Sequence, residues 1–385
     1  MFTRRPPLKA IAALLLAAWA LAASPAQAAN DPLLEEAIAL PAQVLYFGSG
    51  APGVVMGVTH QGRRAVVGFG ETAKGSGREP DGDTLMRVGS ISKVFTGTAL
   101  ASLAADDTIK LSDPLAKHLK WNVKLPLRDN RELRLIDLAT HTSGLPREVP
   151  REPGPSDDPF RTLTEQAYAQ SLAGNPLLFT PGSGGLYSNF AFDMLAVALG
   201  HAAGKPYEQV LRERVLAPAG LNDTVLTLRP GDEKRLMQGH FFDGSPLPVV
   251  HTGSVMAGAS GLYSTPNDIL KWLEWHMNTQ SAQDRETRLV NHSAYVFRHD
   301  LKRALGFDES GHMDAMGLGW VIMQGDQGEP TILQKAGGLQ GMFVYCAFSP
   351  SRGIGAFVAI NRFNFDASMA MARTVNELIN TMTQR

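Results

Sequence analysis

Apolar residues fall into helical spacing near the start of the chain, into short strand-like runs toward both ends, and into helical spacing again between them. From Asp31 an amphipathic pattern predicts a helix, with Pro32 in its first turn and Pro41 as a kink or stop. Gly53 to Thr59 and Arg64 to Gly70 read as two strands joined at Gln61-Gly62. Small and apolar residues from Gly89 to about Ala105 predict a turn leading into a buried helix. Further helical patterns cover Ile136 to His141, Leu163 to Ala173, Phe190 to Ala203 and Tyr207 to Leu216, with Gly204 and Gly220 as stop signals. Between them, Pro146 to Pro159 carries five prolines and reads as an irregular surface loop that could fold over a pocket.

Thr265 caps a helix reaching Met277, and the polar interval Asn278 to Asp314 shows no readable order of elements. From Gly317 the pattern changes to short apolar runs between Gly- and Pro-rich turns, predicting strands at Leu318 to Met323, Thr331 to Lys335, Met342 to Phe348 and Ile354 to Ile360, then a helix from about Asp366 to Met382. Strands at both ends with helices between them predict an α/β (α+β) fold, an antiparallel sheet flanked by helices with an inserted, mainly helical subdomain. The expected division is residues 29–89 plus 255–385 for the sheet and about 90–254 for the helices, with a cleft where they abut.

Composition narrows the reading. The 385 residues are 44% hydrophobic and 19% charged with net charge −1, an ordinary globular profile without the basic excess of a nucleic-acid binder. Arg4, Arg5 and Lys9 precede an apolar run from Ala10 to Ala23, and Ala26-Gln27-Ala28 forms a small-x-small site, so residues 1–28 read as a cleavable export signal. No other stretch reads as a transmembrane segment of the mature chain. Cys346 is the single cysteine, so no internal disulfide is possible, and its apolar setting predicts a core thiol. Gly48, Gly50 and Gly53 match G-x-G-x-x-G but precede their strand, which argues against a dinucleotide site.

The candidate chemistry lies at Ser90 and Lys93. Three positions apart on a helix, a hydroxyl and an amine share one face. Serine needs a base to become a nucleophile, and lysine, ordinarily protonated to about pH 10.4, must be held neutral by burial or nearby cations, a differential of about 4 kcal/mol. Ser-x-x-Lys occurs once in the chain, as do Tyr187-Ser188-Asn189 and Lys335-Ala336-Gly337. No H-E-x-x-H or paired-cysteine pattern marks a metal site, and His141 reads as a loop brace.

These three motifs in this order resemble the serine β-lactamase and penicillin-binding protein superfamily, in its class C-like branch. Supporting stretches are Thr140 to Pro146, Gly258 to Pro266 and Gly317 to Trp320. Within the branch, Leu145 to Glu148, Tyr187 to Ala196 and Leu333 to Gly338 are most similar to the AmpH-type periplasmic penicillin-binding proteins. The resemblance covers essentially the whole mature chain. It implies a periplasmic DD-carboxypeptidase and DD-endopeptidase acting on peptidoglycan stem peptides through an acyl-enzyme, with β-lactams as acylating ligands and no cofactor or metal. It further implies Ser90 as nucleophile, Lys93 and Tyr187 sharing the proton relay, Asn189 holding Lys93 and the substrate amide, and Lys335 supplying positive charge that keeps Tyr187 or Lys93 reactive and draws the substrate carboxylate. Backbone N–H groups of Ser90 and Gly338 would form the oxyanion hole, with Gly337 and Gly338 allowing close approach. One departure stands out: Ala336 replaces the hydroxyl residue of Lys-Thr-Gly, a carboxylate ligand, and Arg362 and Asn364 are the candidate substitutes. A β-lactamase or carboxylesterase on the same scaffold, or a penicillin or muropeptide binder with weak catalysis, are the alternatives.

Overall fold

The computed structural model describes residues 30–155, 158–250, 252, 255–307 and 311–382. The export signal expected at residues 1–28 lies outside them. Helix α1 spans Pro32–Ser49; the Asp31 carboxylate caps it by accepting from the N–H groups of Leu33 and Leu34. Pro41 does not end it, because Leu34, Ile38, Ala42 and Leu45 pack beneath it and that burial outweighs one missing hydrogen bond. Strands β1 (Gly53–His60) and β2 (Arg63–Gly70) form the expected hairpin, and the short β3 is Met86–Arg87.

The helical stretch follows as α2 (Ser92–Ala105), α3 (Leu115–His118), α4 (Leu135–Ala139), α5 (Glu165–Ala173), the short β4 (Gly185–Leu186), α6 (Asn189–Ala203) and α7 (Tyr207–Leu211). Where one helix was expected to Leu216, α7 widens into a π-helical turn over Arg212–Leu216. Next come β5 (Tyr263–Ser264) and α8 (Pro266–Met277), capped by Thr265 Oγ1 accepting from Asp268 N–H. The interval left unread from sequence contains α9 (Arg285–His292) and the two-residue strands β6 (Val296–Phe297) and β7 (Ala304–Leu305), with the two-residue β8 (Ala315–Met316) directly after it, all three strands too short to show a period.

The chain closes with β9 (Val321–Met323), β10 (Ile332–Leu339), β11 (Met342–Ser349), β12 (Ile354–Ile360) and α10 (Phe365–Met382). Two expectations shift here. β9 starts three residues late, because Gly317 to Trp320 forms a turn with Gly319 at φ +84. β10 runs four residues past Lys335, which places Ala336, Gly337 and Gly338 inside the strand.

Among the described residues, eight strands form one antiparallel sheet in the order β2-β1-β12-β11-β10-β9-β8-β6. The first and last strands are therefore neighbours, Val54 opposite Ile360 and His60 opposite Ile354. Alternation sorts the core onto two faces: Val54, Met56, Val58, Val358 and Ile360 meet α1 and α10, while Val55, Phe348 and Phe357 meet α2 and α8. On that second face Phe95 of α2 stacks on Trp272 at 3.7 Å, and Trp272 stacks on Trp320. The aromatic stack pins α2 to the sheet, and with it the residues at its start.

Candidate active site

Ser90 sits on a single 3-10 turn, Gly89–Ile91, immediately before α2 and not on the α-helix itself. The turn is braced from within: Ser92 Oγ donates to the Gly89 carbonyl and accepts from Leu262 N–H. Lys93 occupies the first turn of α2, where its side chain is fully buried. Its Nζ lies 3.1 Å from Ser90 Oγ, 2.6 Å from Asn189 Oδ1 and 2.9 Å from the Ala259 carbonyl oxygen.

That set of partners suits a neutral amine acting as a base. A neutral amine has two N–H groups and one lone pair. The amide oxygen of Asn189 and the carbonyl of Ala259 can only accept, so they take the two N–H groups. The lone pair is left facing the Ser90 hydroxyl.

Tyr187 leaves β4 with its main-chain N–H bonded to the Leu305 carbonyl, and its ring is surrounded by basic side chains. Lys93 Nζ, Lys335 Nζ and Arg147 Cζ stand 4.8, 4.6 and 4.9 Å from the ring centroid. His141 stacks on the same ring at 4.4 Å; its Nδ1 accepts from Ser188 N–H and its carbonyl from Leu186 N–H. One residue thus holds three consecutive positions around Tyr187. Asn189 opens α6; its Nδ2 donates to Glu148 while its Oδ1 faces Lys93.

Lys335 projects from β10, 3% exposed. Two residues on, β10 touches the Ser90 turn: a Cβ at Gly337 would lie 2.1 Å from the Val88 carbonyl oxygen and 3.1 Å from Ser90 N. Ser90, Tyr187, Lys335, Ala336, Gly337 and Gly338 line one cavity of about 630 Å³, whose far end is apolar, formed by Phe242, Phe343, Phe363, Phe365 and Met369. The three motifs, up to 245 residues apart between Ser90 and Lys335, converge on it.

The chain matches the family model described as Beta-lactamase over residues 33–381. It is 35% identical to the D-alanyl-D-alanine-carboxypeptidase/endopeptidase AmpH of Escherichia coli (strain K12), over 88% of this chain and 87% of that protein. The crystal structure of a beta-lactamase/D-alanine carboxypeptidase from Yersinia pestis complexed with citrate superposes with a TM-score of 0.83 at 36% identity, over 92% of this chain and 99% of that one. A class C beta-lactamase from Rhodobacter sphaeroides shares the fold, with a TM-score of 0.73 at 22% identity over 91% and 100%. This chain belongs to the beta-lactamase family.

Electrostatics in this member of the beta-lactamase family favour a neutral Lys93. Burial, then the charge of Lys335, hold its amine well below the ordinary lysine range. Burial likewise keeps His141 neutral, in agreement with Nδ1 acting as an acceptor. Sequence reasoning missed Asp193, one turn into α6. It is buried, accepts from Tyr168 Oη and from Ala259 N–H, and is pushed up to about 7 by desolvation. A lone carboxylate in the apolar run Phe190 to Leu199 was the available signal.

The two substitutes considered for the family's missing hydroxyl at Ala336 point elsewhere. The Arg362 guanidinium donates to the carbonyls of Gly50 and Phe242, and Asn364 bonds the Ser49 carbonyl and caps α10. Both tie the segment after β12 to the end of α1. Cys346 is buried and its thiol is pushed up to about 12, a core group as expected. Among the described residues no group of three or more His, Cys, Asp or Glu stands together as a metal site, and no helix is long and apolar enough to cross a membrane.

Proposed function

We propose that this protein is a periplasmic serine DD-carboxypeptidase and DD-endopeptidase that hydrolyses D-alanine-type bonds of peptidoglycan stem peptides, and that β-lactams acylate the same serine. The observation that carries the reading is the fully buried Lys93 amine 3.1 Å from Ser90 Oγ, its other two contacts being oxygens that can only accept, with burial and Lys335 lowering its pKa. In the first step the Ser90 proton passes to Lys93 as Oγ bonds to the carbonyl carbon. The oxygen that gains charge is held by the N–H groups of Ser90 and Gly338. Tyr187 hands a proton to the departing nitrogen as the C–N bond breaks and is reprotonated from Lys93. Water then attacks the ester by the reverse relay, releasing the acid and restoring Ser90 O–H.

The 35% identity to a carboxypeptidase/endopeptidase supports this substrate class, and the leader at residues 1–28 supports the compartment. A labelled penicillin followed by peptide mapping, beside a digest of crosslinked muropeptides, tests it. The expected result is an adduct on Ser90, absent from Ser90→Ala, with release of D-alanine and uncrosslinked monomers. Labelling elsewhere, or intact muropeptides, would overturn it. A second reading, carboxylesterase, is favoured by Ala336 together with the aromatic end of the cavity. Turnover of short-chain esters with muropeptides untouched selects it.

A further inference from the structure

We propose, building on that peptidase reading, that Arg147 determines specificity for the leaving group, its guanidinium binding a carboxylate on the carbon next to the departing nitrogen. The argument starts from Tyr187. To receive its proton, the leaving nitrogen must come within about 3 Å of the phenolic oxygen. In an α-amino acid the carboxylate is attached to the carbon bearing that nitrogen, so it falls in the same small volume. The described residues lining the cavity include two cations, Lys335 and Arg147, and no acid.

Arg147 is built for the task. Its carbonyl accepts from the N–H groups of Asn189 and Phe190, which locks its backbone to the start of α6 and so to Tyr187. Its guanidinium, beside the tyrosine ring, donates no hydrogen bond to the described residues. The nearest acid, Glu148, is 4.0 Å away through Nε and is engaged instead by Asn189. Gly306 borders both side chains: a Cβ there would stand 3.0 Å from Tyr187 Cβ and 3.7 Å from Arg147 Nη1. A planar fork with free donors matches a carboxylate with two bonds. It supplies the anion contact that Ala336 lacks and that Arg362 and Asn364, bonded elsewhere, do not provide.

The test compares acylation rates for two pairs: benzylpenicillin against its methyl ester, and an N-acylated D-alanyl-D-alanine tripeptide against its C-terminal amide. The readout is the ratio of charged to neutral substrate, which cancels any general damage to the catalytic cluster. Arg147→Ala is expected to lower that ratio on the order of 10- to 100-fold, and Arg147→Lys by less. A ratio equal to wild type in Arg147→Ala overturns the assignment, whether the individual rates fall or not. Uncut muropeptides with an unaltered penicillin ratio effect would sink the peptidase reading alone.

Discussion

The contact between β10 and the Ser90 turn gives the sharpest test of the site. A methyl group at position 337 would sit 2.1 Å from the Val88 carbonyl oxygen, inside the 3.0 Å that real side chains respect, so strand and turn must part by roughly 0.9 Å. β10 cannot yield on its other edge, where Lys335, Ala336 and Gly337 pair with Cys346, Tyr345 and Val344 of buried β11. The separation therefore opens the gap between the N–H groups of Ser90 and Gly338, the two proposed oxyanion donors. Losing one such donor costs on the order of 100- to 1000-fold in rate. The crowding itself should destabilise by only about 1 to 3 kcal/mol, leaving a folded protein. We expect Gly337→Ala to unfold in urea at a lower midpoint, yet to acylate with fluorescent penicillin at least about 100-fold more slowly under conditions where it is folded. A folded variant acylating within about threefold of wild type would refute the placement of the oxyanion hole.

Three further outcomes are expected. Lys93 is a base only when neutral, so acylation should fall as pH drops through its lowered pKa; Lys335 lowers that pKa and Asp193 raises it. The acid limb should accordingly move to higher pH in Lys335→Gln and to lower pH in Asp193→Asn, and shifts in one common direction would contradict the assignment of the base. Removing the Nδ1 acceptor in His141→Ala strands the buried Ser188 N–H, a loss of about 1 to 3 kcal/mol in a denaturation curve. His141→Asn, which retains an acceptor and tolerates the φ of +59 found there, should recover much of it, and equal losses would rule out the hydrogen bond as the cause. Finally, Cys346 should resist thiol reagents in the native protein and react only on unfolding; rapid labelling of folded protein would show the core around it to be open.

Much of this was legible in the chain because the signals were periodic or unique. The buried strands β1, β11 and β12 are continuous apolar runs bounded by glycine, and the helices near Ser90 and Tyr187 are too apolar to lie anywhere but inside. Three tripeptide-scale motifs named Ser90, Lys93, Tyr187, Asn189 and Lys335, and the structure brings them to one cavity and its wall. What sequence could not supply was orientation. Nothing in the letters says that Arg362 turns to the carbonyls of Gly50 and Phe242, or that Arg147 turns toward Tyr187. The end of β10 was misplaced because glycines ordinarily weaken a strand, whereas at Gly337 the neighbouring turn leaves no room for a side chain.

The pairing of β1 with β12 has a consequence for the life of the chain before it is active. Gly53 N–H bonds the side chain of Asn361, a partner 308 positions away, so the central strands of the sheet cannot be completed until almost the last residue has left the ribosome. Such distant closure is slow. Were the chain exported as proposed above, that delay would be useful: an unfinished sheet would not jam the translocation pore, and the proposed nucleophile would be assembled only on the far side.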